Sequence, residues 1–220
     1  MYTIYAIVSG PLAWAAFILF FGGILFRLIQ LLLDVQRTEK FIFSYMSLRY
    51  SLRSILHWII PFATVNWRRH PVLTVATFVF HLCLLITPIF LLAHIVLIDE
   101  AWSLSWWSLP DAVADAMTFL VIVCCIFFFI RRLTQPEVQF VTYASDYLIL
   151  AMAAAPFVTG ILIYHQVADG APWLTVLHML SGEIMLAAIP LTRLNHMIFS
   201  VFTRAYMGSE FGGVRRARDW

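Results

Sequence analysis

Five stretches of this chain stay apolar for about 20 residues or more, the length an α-helix needs to cross the hydrocarbon core of a bilayer. They lie near 7–32, 71–98, 112–130, 144–166 and 173–200. Hydrophobic residues make up 62% of the chain and charged residues 12%, with a mean hydropathy of +0.88. Soluble domains carry roughly a quarter charged residues. The expectation is an all-α integral membrane protein, a single five-helix bundle over residues 1–220. The first run is long and has no basic leader, so it reads as a retained span rather than a cleaved signal peptide.

The net charge of +2 is uninformative, but its sidedness is not. Arg27, Arg37, Lys40, Arg49, Arg53, Arg68 and Arg69 end or follow the first span. Arg131 and Arg132 follow the third, and Arg193, Arg204, Arg215, Arg216 and Arg218 end or follow the fifth. The N-terminal residues and the 99–111 and 167–172 loops contain none. They carry Asp99, Glu100, Asp111 and Asp169 instead. The positive-inside rule then places the N-terminus outside and the C-terminus in the cytoplasm.

Two connections are distinctive. Segment 34–70 mixes aromatic and aliphatic residues with arginines, as in a helix lying in the interface or docking a cytoplasmic partner. The 99–111 loop holds Trp102, Trp106 and Trp107, which read as an interfacial aromatic belt or the mouth of a site. Cys83, Cys124 and Cys125 lie inside spans, and no CxxCH occurs, so covalent c-type haem attachment is excluded. No phosphate-binding loop, zinc-protease or hydrolase signature is present. No nucleic-acid partner is implied.

The chemistry lies in the histidines. His178 and His196 are 18 residues apart. That is about five helical turns, which puts both rings on one face roughly 27 Å apart. His70 and His81, 11 residues apart, share a face to within about 20°. His94 falls roughly 220° round from His81 and points elsewhere. Iron porphyrins take two axial imidazoles, and bundles build cofactor sites from facing helices. His70 with His196, and His81 with His178, would each hold one haem. His94 is the alternative to His81, against its angle. Packed, hydrogen-bonded intramembrane histidines are the plain reading of the same residues.

The fifth span, HMLSGEIMLAAIPLTRLNH, resembles the gamma subunit of respiratory nitrate reductase, a five-helix cytochrome b. The matching residues are His178, Gly182, Pro190, Thr192, Arg193, Leu194 and His196. HLCLLITP in the second span also matches, with His81 seven residues before Pro88. The family's other second-span ligand would fall on Pro71. His70 is one residue earlier, and His57 is the reserve. The stretches SYMSLRYSLRSILHWIIPF and FTRAYMGSEFGGVRRARDW look more like the membrane cytochrome b subunits (Tmc/Dsr type) of transmembrane redox complexes in sulfate-reducing bacteria. That resemblance implies two haem b groups in a bacterial inner membrane. It implies electron transfer between a periplasmic multihaem cytochrome c or menaquinone and a cytoplasmic iron–sulfur subunit related to heterodisulfide reductase. A quinol-oxidising subunit of a nitrate reductase-like enzyme is the alternative within the family.

Arg193, three residues before His196, is a candidate partner for a haem propionate, or a snorkelling arginine. His94, His165 and Glu100 gather at the expected outer side, where a quinone or proton site would sit. Glu183, an intramembrane carboxylate, is a candidate proton relay or a neutral hydrogen-bonded acid. Asp146, Arg131 and Arg132 join segment 34–70 and the 201–220 tail as a docking surface for a soluble partner. Rivals from other classes are a haem-free anchor and a transporter subunit; the latter would show discontinuous helices or inverted repeats, none of which stands out in the sequence, and five spans do not divide evenly.

Overall fold

The computed structural model describes residues 2–167 and 171–217; Asp169 and Arg218, named above, lie outside the described residues. Those residues are helical, with no β-strand among them. The main helices are α1 (Tyr2–Thr38), α2 (Leu48–Ile59), α3 (Pro71–Phe90), α4 (Leu92–Trp102), α5 (Asp111–Thr134), α6 (Ala144–Tyr164), α7 (Pro172–Leu191) and α8 (His196–Met207). Of these, α1, α3, α5, α6 and α7 are long and apolar enough to cross a membrane. The chain divides into two compact units. One joins the residues up to Gly10 with Ala76–Met185, and the other joins Pro11–Val75 with the residues from Leu186 onward.

Two of the expected spans are broken. The run 71–98 is not one helix: α3 stops at Phe90, Leu91 is extended (φ −74°, ψ 126°) and α4 begins at Leu92. Pro88 has no N–H and weakens the ladder there. The carbonyls freed at the break are taken up locally, as buried polar groups must be. Pro88 O accepts from His94 Nδ1 (2.8 Å), Ile89 O from Trp106 Nε1 (2.9 Å) and Phe90 O from the Leu109 amide (2.9 Å). Phe90 and Trp107 stack 4.4 Å apart. Trp106 is therefore a fastener of the 103–110 loop. Trp106→Phe removes one bond worth about 0.5–1.5 kcal/mol. Amide exchange in 103–110 is expected to speed up roughly tenfold, with the core helices unchanged.

The run 173–200 is broken too. After Pro190, Thr192 is extended (φ −126°, ψ −172°) and a 3-10 turn, Arg193–Asn195, leads into α8. Thr192 Oγ1 donates to Ala188 O (2.8 Å) and accepts from the Leu194 amide (3.2 Å). Pro190 is packed against α1: a Cβ on Gly23 would lie 2.7 Å from its ring, so only glycine fits there. Arg27 Nε donates to Pro190 O (3.2 Å).

In the first unit, Cys83, Val121, Cys125 and Phe157 form a buried cluster from α3, α5 and α6, flanked by Phe80 and Met117. In the second unit, α2 packs on α8 and on the π-helical turn Gly208–Val214. That packing covers part of the surface the sequence offered for docking. Gly208 and Ser209 of the tail are buried, and Arg215 is paired with Glu210 (2.7 Å). Asp146 is buried as well. Its Oδ2 accepts from the Tyr143 amide (2.8 Å) at the start of α6 and lies 4.0 Å from Arg132 Nη1.

Candidate functional site

The break at Leu91 decides which histidine meets His178. Because α4 starts afresh after α3, the rotation extrapolated along one helix does not apply to His94. Its ring faces His178 across the first unit, with centroids 6.1 Å apart and planes within 22° of parallel. This corrects the expectation that His94 points away. His81 stays on α3, half-buried and edge-on to Phe80 at 5.1 Å.

His178 is held by α6. Its Nδ1 lies 3.0 Å from Thr159 Oγ1. Thr159 has one hydroxyl proton, and carbonyls at Ala155 (2.8 Å) and Pro156 (3.2 Å) are its acceptors. The oxygen therefore accepts, and His178 Nδ1 carries the proton. Ser181 Oγ donates to His178 O (2.7 Å) and lies 3.4 Å from Thr159 Oγ1. Gly160 makes room for the ring: a Cβ there would meet His178 Cε1 at 3.2 Å.

The same logic covers three other histidines. His81 Nδ1 lies 2.8 Å from Thr77 O, His94 Nδ1 2.8 Å from Pro88 O, and His196 Nδ1 2.8 Å from Arg193 O. A carbonyl only accepts, so each Nδ1 is the protonated nitrogen and each Nε2 carries the lone pair in the neutral ring. Metal-ligating imidazoles are characteristically fixed in this way, by a second hydrogen bond that sets tautomer and ring orientation. His165 is different. Its Nε2 bonds Asp115 Oδ1 at 3.0 Å at an exposed position, so that nitrogen is engaged with a carboxylate.

The remaining candidates are dispersed. His196 and Arg193 are exposed at the break after α7, so the one-face, five-turn relation between His178 and His196 does not hold. His70 is exposed after the short helix Val65–Arg69, and its carbonyl accepts from Thr74. His57 is half-buried in the last turn of α2, and Glu100 is exposed on α4. Glu183 is half-buried on α7, and its Oε2 is buried with no hydrogen-bond partner among the described residues. No group of three or more His, Cys, Asp or Glu side chains suited to a metal ion occurs among the described residues. Thr159, Gly160 and Ser181 were not foreseen. Their signal in the sequence is small and hydroxyl residues within apolar runs, which mark close helix contacts.

The spacing of His94 and His178 is compatible with two imidazoles that would share one metal ion. Imidazole nitrogens bind first-row metals at about 2 Å. Two such bonds plus the ring radii span roughly 6 Å from ring centre to ring centre, whatever the angle between the ring planes.

The fold therefore defines an all-helical, multi-pass membrane protein with five helices able to span the bilayer. No family model and no solved structure matches the chain. It is 36% identical over 220 residues to a protein of Nitratidesulfovibrio vulgaris (strain Hildenborough), an alignment covering 96% of this chain and 97% of that protein. The chain belongs to the same family as that bacterial protein.

Proposed function

We propose that this chain is a dihaem b-type cytochrome subunit of a bacterial inner-membrane redox complex. The observation that carries the reading is the His94–His178 pair, near-parallel at 6.1 Å, with both Nδ1 atoms hydrogen-bonded so that both Nε2 lone pairs are available. His94 and His178 would hold one haem, with His81 in reserve. His196 would hold the second together with His70 or His57, and Arg193 is the propionate candidate. Haem iron, when bound, supplies a one-electron couple. The chain's own residues do the rest. Thr159 and Pro88 O fix the tautomers of the outer pair, Gly160 gives the ring space, and the 103–110 loop covers the break that positions His94.

In this reading electrons cross between a periplasmic multihaem cytochrome c or the menaquinone pool and a cytoplasmic iron–sulfur subunit. The N-terminus lies outside and the C-terminus in the cytoplasm, as the arginine sidedness supports. Glu183, with its orphaned oxygen, is the residue suited to exchange a proton with a quinone. Glu183→Gln is expected to reduce quinone-linked proton release; unchanged release removes it from the account.

Thr159 provides a finer check. Thr159→Val leaves the shape but removes the acceptor for His178 Nδ1–H. Loss of such a partner typically costs 10–100-fold in metal affinity. The variant is expected to lose one haem preferentially on dilution or washing, and Thr159→Ser is expected to restore it. Haem counting by pyridine haemochrome reads both.

A further inference from the structure

Helix α2 is packed with its polar side in and its apolar side out. Ser51 and Ser54 are 6% and 0% exposed and face the C-terminal segment. Ser51 Oγ donates to Ala205 O (3.1 Å) and lies 3.1 Å from Ser209 Oγ, while the Ser47 amide donates to Ser209 Oγ (3.0 Å). Gly208 lets the two segments meet, since a Cβ there would lie 2.7 Å from Ser54 Cβ. On the other side, Leu48, Leu52, Leu56 and Ile59 are 76%, 50%, 55% and 54% exposed. Their spacing of four, four and three keeps them within about 80° on one stripe. A helix facing water presents the opposite pattern.

The charges beside the stripe indicate what covers it. Arg49 and Arg53 are exposed along one edge. From Lys40 to Arg69 the chain contains Lys40, Arg49, Arg53, Arg68 and Arg69 and no Asp or Glu. The segment is also tethered at both ends to helices able to span the bilayer, α1 and α3. An apolar stripe edged by arginines and held beside membrane spans matches an anionic bilayer surface, with acyl chains under the leucines and phosphates at the guanidinium groups.

We propose that α2 is a lipid-binding element that seats in the leaflet and recognises anionic phospholipid headgroups through Arg49 and Arg53, clamped from behind by the Ala205–Ser209 segment. The inference is independent of any haem. It also excludes this stripe from the surface left for a soluble partner.

The test uses the full chain with Leu52→Cys carrying a nitroxide, in nanodiscs of phosphatidylcholine with or without phosphatidylglycerol. Cys83, Cys124 and Cys125 are buried, and the parent chain treated with the same impermeant label serves as the control. With phosphatidylglycerol present, collisions with oxygen are expected to exceed those with a water-soluble nickel chelate several-fold. Arg49→Gln with Arg53→Gln is expected to bring the two rates together. Nickel-dominated collisions overturn the proposal, because the stripe then faces water. Low rates for both reagents overturn it in favour of a protein cover, a second copy or a partner. Oxygen-dominated rates that ignore both phosphatidylglycerol and the arginine changes overturn the anionic-lipid assignment.

Discussion

Replacing His178 with alanine removes one haem from the purified protein and leaves the other: the haem count is expected to fall by about half. The ring is fixed by Thr159, spaced by Gly160 and opposed by His94, so no other side chain can move into its place. His94→Ala is expected to give the same loss, and His81→Ala to keep the count. The reverse result, with His81→Ala losing haem and His94→Ala keeping it, would restore the pairing read from helical spacing alone. None of the three histidines is itself part of the small buried cluster of the first unit, and helical content by circular dichroism is the control for folding.

The second large effect is on stability. Gly208→Ala places a methyl group against the Tyr50 carbonyl oxygen and 2.7 Å from Ser54 Cβ. A backbone atom on a packed helix cannot step aside as a flexible side chain can. Overpacking of this kind typically costs about 1–3 kcal/mol, here in the contact between α2 and the C-terminal segment. A thermal melt in detergent is expected to show a drop of several degrees. Gly22→Ala on α1, where a Cβ meets nothing within 4 Å, is the control and is expected to leave the melt unchanged. A normal melt for Gly208→Ala would mean that the C-terminal segment is not seated on α2.

The contrast between legible and illegible features follows from what each depends on. Span existence depends on summed hydropathy, and all five runs appear as helices, with ends shifted by a few residues in most. Helix continuity does not depend on hydropathy. Pro88 and Pro190 sit in apolar sequence that reads as unbroken, and prolines inside membrane spans are often tolerated because neighbours satisfy the freed carbonyls. Here those neighbours are Trp106, the Leu109 amide, His94 and Arg27. None of these pairings is visible from sequence spacing. A rotation angle carried across residue 91 or 192 therefore does not hold, and His94, the alternative to His81 by helical angle, is the histidine that faces His178. The 11-residue relation of His70 to His81 fails for the same reason: His81 lies on α3, but His70 precedes it with a non-helical backbone (φ −124°, ψ 63°). The burial of Asp146 and the Gly208–Ser209 turn was hidden for another reason, since long-range packing turns apparently solvated polar residues into buried ones.

The broken helices also bear on the transporter rival. Discontinuous helices in transporters leave carbonyls and helix ends turned toward a substrate or ion. At these two breaks the freed carbonyls at Pro88, Ile89, Phe90 and Pro190 accept hydrogen bonds from the chain's own donors. The break at Leu91 places side chains, His94 in particular.

The most direct measurement is a reduced-minus-oxidised optical spectrum of the full chain, purified from haem-supplied cells and paired with a haem count. The account predicts b-type α-bands with a low-spin, bis-histidine signature and about two haems per chain. A well-folded preparation with no α-band and no haem would contradict it.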